Sequence, residues 1–195
     1  MKSNLNLRNF AITAVFVAII TGSMIWLNKD NLSPGYAHYE KYGVKLTYPA
    51  LMSLYETGLP ELGYGSEPSE FAGIIQCQSY WEGKLNHINV IWVVKEKAPS
   101  IEAEVNNFIA GANMMVQTKG EYFDMVFNGE VVRCVDIEFS DGNDAFSGIV
   151  GLIYRPWSSS GVTRVFFVVY LTLKDSATED QIRASMQYYT RRLNL

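Results

Sequence analysis

Cys77, Cys134, His38 and His87 are the residues whose types could support nucleophilic chemistry in this chain. A catalytic thiol needs a base within hydrogen-bond reach and a further group to orient that base. Neither cysteine neighbours a histidine along the chain, and no G-x-S-x-G elbow offers a serine in their place. The plainer reading makes both cysteines structural thiols in strands and both histidines surface groups. Outside a reducing compartment Cys77 and Cys134 could instead bond to each other, provided that both face one side of the sheet within bridging distance.

Oxygen ligands come next. Glu138, Asp141, Asn143 and Asp144 gather about one turn, but without the Asp-x-Asp-x-Asp-Gly spacing of a calcium loop. An ordinary Asp/Gly/Asn turn explains them. Pairs of carboxylates, as glycoside hydrolysis requires, arise in any chain with 20 acidic residues. No glycine-rich phosphate loop is present. No catalytic residue, metal ligand set or cofactor is assigned from the sequence.

Binding chemistry is better represented. The chain has 12 Tyr, 10 Phe and 4 Trp, and exposed aromatics often anchor partners. Ala50–Ser69 reads as a long loop, with Pro60, Pro68 and glycines at 58, 63 and 65. It is acidic: Glu56, Glu61, Glu67 and Glu70 occur with no Lys or Arg between Lys45 and Lys84. Long loops in compact domains are often binding surfaces. Tyr55, Glu61, Tyr64 and Glu67 are therefore candidate contact residues. Trp157 joins them, because the polar turn Pro156–Gly161 gives it little to pack on.

Composition bounds the rest. The chain has 195 residues, 48% hydrophobic and 18% charged, which excludes a disordered chain. Two cysteines exclude a disulfide-rich scaffold and an all-cysteine zinc site. A net charge of −4 leaves no basic footprint for nucleic acid.

Residues 1–9 carry Lys2 and Arg8 and no acid, and residues 10–27 (FAITAVFVAIITGSMIWL) run without a charge. As a helix rising about 1.5 Å per residue, that run just spans a bilayer core. Positive charges on its N-terminal side orient it with the remainder outside the cytoplasm. The expectation is a signal anchor, with a cleaved signal peptide and a buried helix as the competing readings. Residues 28–38 read as a linker and 39–195 as an extracytoplasmic domain. Without Lys2 and Arg8, 14 basic residues stand against 20 acidic ones, so the domain is held by its helix and not by surface charge.

Within that domain the periodicity predicts strands at Tyr42–Tyr48, Phe71–Trp81 and Asn86–Lys95. A helix follows Ser100, with Ile101, Val105, Phe108, Ile109, Ala112 and Val116 as its apolar stripe. Glu121–Phe127 and Glu130–Phe139 flank Asn128-Gly129, a strong hairpin signal. Ala145–Arg155 and Val162–Leu173 complete the strands, the last apolar on both faces from Val165 onward. A closing helix begins near Asp175-Ser176, with Ser176 and Glu179 as its capping box.

The order resembles a PsbP-like domain, the α/β/α sandwich of the photosystem II extrinsic protein. Tyr42-Gly43-Val44-Lys45-Leu46-Thr47-Tyr48-Pro49 resembles that family's opening strand, and Phe127-Asn128-Gly129-Glu130 its central hairpin. Ser100–Val116 and Asp175–Leu193 fall where its helices fall. The resemblance implies an α+β fold: a mostly antiparallel six- to seven-stranded sheet with helices on both faces, here behind one N-terminal transmembrane helix. It also implies an accessory or binding module with no inherited catalytic residue. The expected protein is single-pass in the cytoplasmic membrane, contacts it through residues 10–27, and engages an envelope protein without nucleic acid. An envelope protein that binds a small ligand or metal ion is the alternative, and a cysteine-dependent hydrolase a further one.

Overall fold

The computed structural model describes residues 35–60, 63–81, 84–96, 100–111, 116–140, 144–157 and 161–195. Ten strands and two α-helices lie among them. In chain order they are β1 (Tyr36–Lys41), β2 (Val44–Pro49), β3 (Ser53–Thr57), β4 (Ala72–Trp81), β5 (Lys84–Lys95), α1 (Ile101–Gly111), β6 (Val116–Phe127), β7 (Glu130–Ser140), β8 (Ala145–Trp157), β9 (Val162–Leu173), α2 (Glu179–Thr190) and β10 (Leu193–Asn194). Seven strands form one antiparallel sheet in the order β3-β4-β5-β9-β8-β7-β6, and β1-β2-β10 form a second.

The sequence of β9 explains its central place. Arg164 through Thr172 are all buried, so neither face of the strand meets water. On one face of the large sheet, Ile74, Ile91, Val150 and Phe167 pack with Val105 of α1 and Leu59. On the other, Ile75, Val90, Ile149 and Val168 pack with Val44 and Leu46 of the small sheet and with Ile182 and Met186 of α2. Each such aliphatic side chain contributes roughly 1.5–3 kcal/mol when buried, and that burial fixes the layers.

Polar contacts set the helices. Ser100 Oγ accepts from the Ala103 amide at 3.2 Å, capping α1 as expected. Glu104, buried on α1, receives Lys95 Nζ at 2.5 Å and ties the helix to the end of β5. The cap of α2 lies two residues later than expected. Gln181 N donates to Thr178 Oγ1 at 3.3 Å, and Thr178 N donates to Gln181 Oε1 at 3.0 Å. Ser176 instead donates to the Leu173 carbonyl. The hairpin at Asn128-Gly129 has the two positive φ angles, 47° and 85°, that its turn requires.

The α+β expectation of one sheet sandwiched by helices is corrected. The molecule is mostly β, with sheets of seven and three strands and two α-helices among the described residues. β2, read as the opening strand of the main sheet, pairs with β1 and β10 instead. β1 fell partly in the expected linker, and β3 in the expected loop. Both are short and polar: β1 buries only Tyr39 and β3 buries no residue, so neither carries the apolar alternation that marks a strand. α1 ends at Gly111, and Val116, expected on its stripe, begins β6. No helix among the described residues is long and apolar enough to cross a membrane; residues 10–27, where the transmembrane helix was expected, lie outside them.

Candidate functional site

Val94 of β5, Arg164 of β9 and Arg155 of β8 lie side by side in register at one end of the large sheet. Period-two alternation puts Arg164 on the same face as Trp92, Phe166 and Trp157. The three rings surround its guanidinium: the carbon lies 4.8 Å from the Phe166 ring centre, 5.1 Å from Trp157 and 5.3 Å from Trp92. Arg164 is 3% exposed, yet among the described residues its Nε and Nη2 have no hydrogen-bond partner. Burial pulls its pKa down to about 10, with the charge of Glu70 acting the other way. It is therefore cationic at neutral pH. Ring faces attract such a cation but do not accept its N–H hydrogens as a carboxylate would.

The walls are firmly held. Trp92 Nε1 donates to the Ser69 carbonyl at 2.8 Å, and its ring and Pro68 both lie against Gly73, leaving no room for a side chain there. Tyr42 stacks on the same ring, centroids 6.0 Å apart. The β1–β2 turn crosses above, and a Cβ at Gly43 would lie 2.7 Å from Arg164 Nη1. At the rim, Phe71 meets Trp157 edge to face at 6.2 Å and is 55% exposed.

The neighbouring cations differ from Arg164. Arg155 holds Glu130 through both terminal nitrogens and donates Nε to the Leu195 carbonyl at 3.0 Å. Arg183 holds Asp136 at 2.9 Å, and Lys95 holds Glu104. Arg155 also lines a cleft of about 130 Å³ with Phe127, Glu130, Ile153 and Leu195.

The expected contact residues divide. Trp157 belongs to the box. It closes β8 opposite Val162 and packs against Phe71 and Arg164, contrary to the expectation of an unpacked turn residue. Tyr64 sits on the opposite face of the same sheet end, donating its hydroxyl to the Val94 carbonyl at 3.2 Å. Glu67 is exposed in the segment that clamps Trp92. That segment is tied back by Gly58 N, which donates to the Ser66 carbonyl at 2.8 Å. Tyr55 lies on the edge strand β3 opposite Gln76, well down the sheet. Glu61 lies outside the described residues. Sequence reasoning missed Arg164, Trp92 and Phe71. The available signal was a lone arginine at the head of an otherwise apolar strand.

Cys77 on β4 and Cys134 on β7 are both free and buried. Three strands separate them, which at about 4.8 Å per strand spacing puts them roughly 19 Å apart. The alternative of a bridge between them is therefore excluded, and both are the buried structural thiols of the plainer reading. Burial pushes each thiol up to about 12, far from a nucleophilic thiolate. His87, expected at the surface, is 1% exposed, and burial lowers its pKa to about 4. With Gln76, Gln78 and Asn89 it forms a buried polar layer on the α1 face of the sheet. Among the described residues, His87 Nε2 and both amide atoms of Asn89 have no partner there. Among the described residues no group of three or more His, Cys, Asp or Glu could hold a metal ion. Glu138 pairs with Lys174, while residues 141–143 of the expected turn cluster lie outside the described residues.

No family model matches the chain, and no curated relative matches it. The PsbP-like resemblance therefore rests on its short motifs alone. A solved structure that matches is LpqN of Mycobacterium tuberculosis, described as involved in cell envelope biogenesis. It is 15% identical, with a TM-score of 0.46, over 84% of this chain and 91% of LpqN.

Proposed function

We propose that the chain is a membrane-tethered, extracytoplasmic binding domain that engages another envelope protein and does no chemistry of its own. Residues 10–27 supply the tether and Lys2 and Arg8 its orientation. The observation that carries the reading is the Phe71–Trp157 pair, an exposed ring on a half-buried one, over a box with a buried cation beneath it. Aromatic anchors on a pre-formed base lose little entropy on binding. The occupant is a protein segment that lays an apolar side chain on Phe71. The elevated thiol pKa values speak against the cysteine hydrolase.

Phe71→Ala tests the reading. Crosslinking of the full chain to its envelope partner in native membranes should fall about tenfold, the loss expected of an anchor residue. Val131→Ala, at a still more exposed site across the sheet, should leave it unchanged. Equal capture by both variants would refute the surface.

A further inference from the structure

A buried charge is normally paired, because removing it from water costs several kcal/mol that only a counter-charge or full hydrogen bonding recovers. Arg155, Arg183 and Lys95 each hold a carboxylate. Arg164 is more deeply buried than any of them, and among the described residues it has no ion pair. Glu70 influences it electrostatically without a hydrogen bond to it.

The two unpartnered nitrogens are not an arbitrary pair. Nε and Nη2 form one side of the planar guanidinium, and their N–H bonds run parallel. That edge matches the two oxygens of a carboxylate and gives the bidentate pairing that lysine cannot make. Flanking rings favour a flat group over a tetrahedral one. The acidic side chains of Glu67 and Glu70 on the neighbouring segment, with a net charge of −4, favour a singly charged group over a phosphate dianion.

We infer that the Nε/Nη2 edge of Arg164 is a carboxylate-binding site, entered past the Phe71–Trp157 rim. It rests on the reading of that rim as the contact surface and adds the chemistry of what docks there: a partner group with one carboxylate next to an apolar side chain, as at a protein C-terminus. The same site would take a small free carboxylic acid. Because Arg164 is only 3% exposed beneath Trp157, an incoming carboxylate has to displace part of the rim, while Trp92 is held by its bond to the Ser69 carbonyl.

The test is an arginine-selective Nε–Hε NMR titration of the full chain in detergent micelles. The probes are acetate, N-acetyl-trialanine as free acid and as amide, inorganic phosphate, and chloride at matched ionic strength. The Arg164 resonance should move downfield and saturate with acetate or the free-acid peptide, and should not respond to the amide or to chloride. Tighter binding of the peptide acid than of acetate identifies a protein carboxylate as the source; equal affinities identify a small acid. Arg164→Lys should weaken binding by about tenfold, as loss of a bidentate charged pair does. If that variant does not fold, the resonance is assigned through bonds in the unsubstituted chain. A resonance that ignores both carboxylates overturns the inference, as does one that prefers phosphate or one freed to respond only in Glu70→Gln. Because no partner is present in this titration, its failure leaves the Phe71→Ala result standing, and the reverse holds equally.

Discussion

The guanidinium of Arg164 lies 5.1 Å from the Trp157 ring centre, although Trp157 ends one strand and Arg164 is the third residue of the next. The β8–β9 pairing brings them to one face, with Pro156 opposite Thr163 between them. The ring both covers the cation and supports exposed Phe71. Trp157→Ala should therefore destabilise the fold by about 1–2 kcal/mol, the size of a desolvated cation–π contact. Trp157→Phe should recover most of that loss. Urea denaturation of the three chains measures both.

The turn over the box should tolerate no side chain at Gly43. Its φ is +71°, which costs an L-residue about 1 kcal/mol or more. The added Cβ would also press on Arg164 Nη1, whose guanidinium three rings confine. Gly43→Ala should cost about 2 kcal/mol in total, read from the same denaturation curves. Gly129→Ala, at a similar φ of +85° with open space around it, should cost about half as much.

Burial of His87 makes stability depend on pH. Its folded pKa is lowered from 6.5 to about 4, so between those values the unfolded chain binds the proton and the folded chain does not. The stabilisation is fully present above pH 6.5 and is lost as pH falls toward 4. The complete loss amounts to about 3 kcal/mol. Thermal melts from pH 7.5 to 4 should show this decline, and His87→Gln should flatten it. The difference between the two chains isolates His87 from Glu56 and Glu130, whose pKa values are lowered mainly by their bonds to Lys41 and Arg155.

How much of this was legible in the sequence depends on burial. β9 was read with its observed limits because nearly every residue in it is apolar. The Asn128-Gly129 hairpin was read from turn chemistry alone. β1 and β3 escaped because short edge strands bury almost nothing. β10, at two residues, is shorter than any pattern. Trp157 was identified for the wrong reason: as an unpacked turn residue, whereas it is a wall of the box. Arg164 was passed over, and His87 was read as a surface group, because charged and titratable side chains are ordinarily placed at the surface. Only tertiary packing buries them, here the β1–β2 turn over Arg164 and strand neighbours such as Phe146 around His87.

Both cysteines should be inert in the folded protein. Their pKa values of about 12 leave almost no thiolate at pH 7.5. Iodoacetamide should label neither Cys77 nor Cys134 under native conditions and both after unfolding in guanidinium. Rapid native labelling of either one would revive the hydrolase reading.

Site-specific photocrosslinking in native membranes tests the central claim most directly. A benzoylphenylalanine placed at Phe71 of the full chain should give a discrete adduct with one envelope protein. The same probe at Val131, 66% exposed on β7 near the far edge of the sheet, should give none. No adduct at position 71, or the same adduct from both positions, would contradict a docking surface built on the Phe71–Trp157 rim.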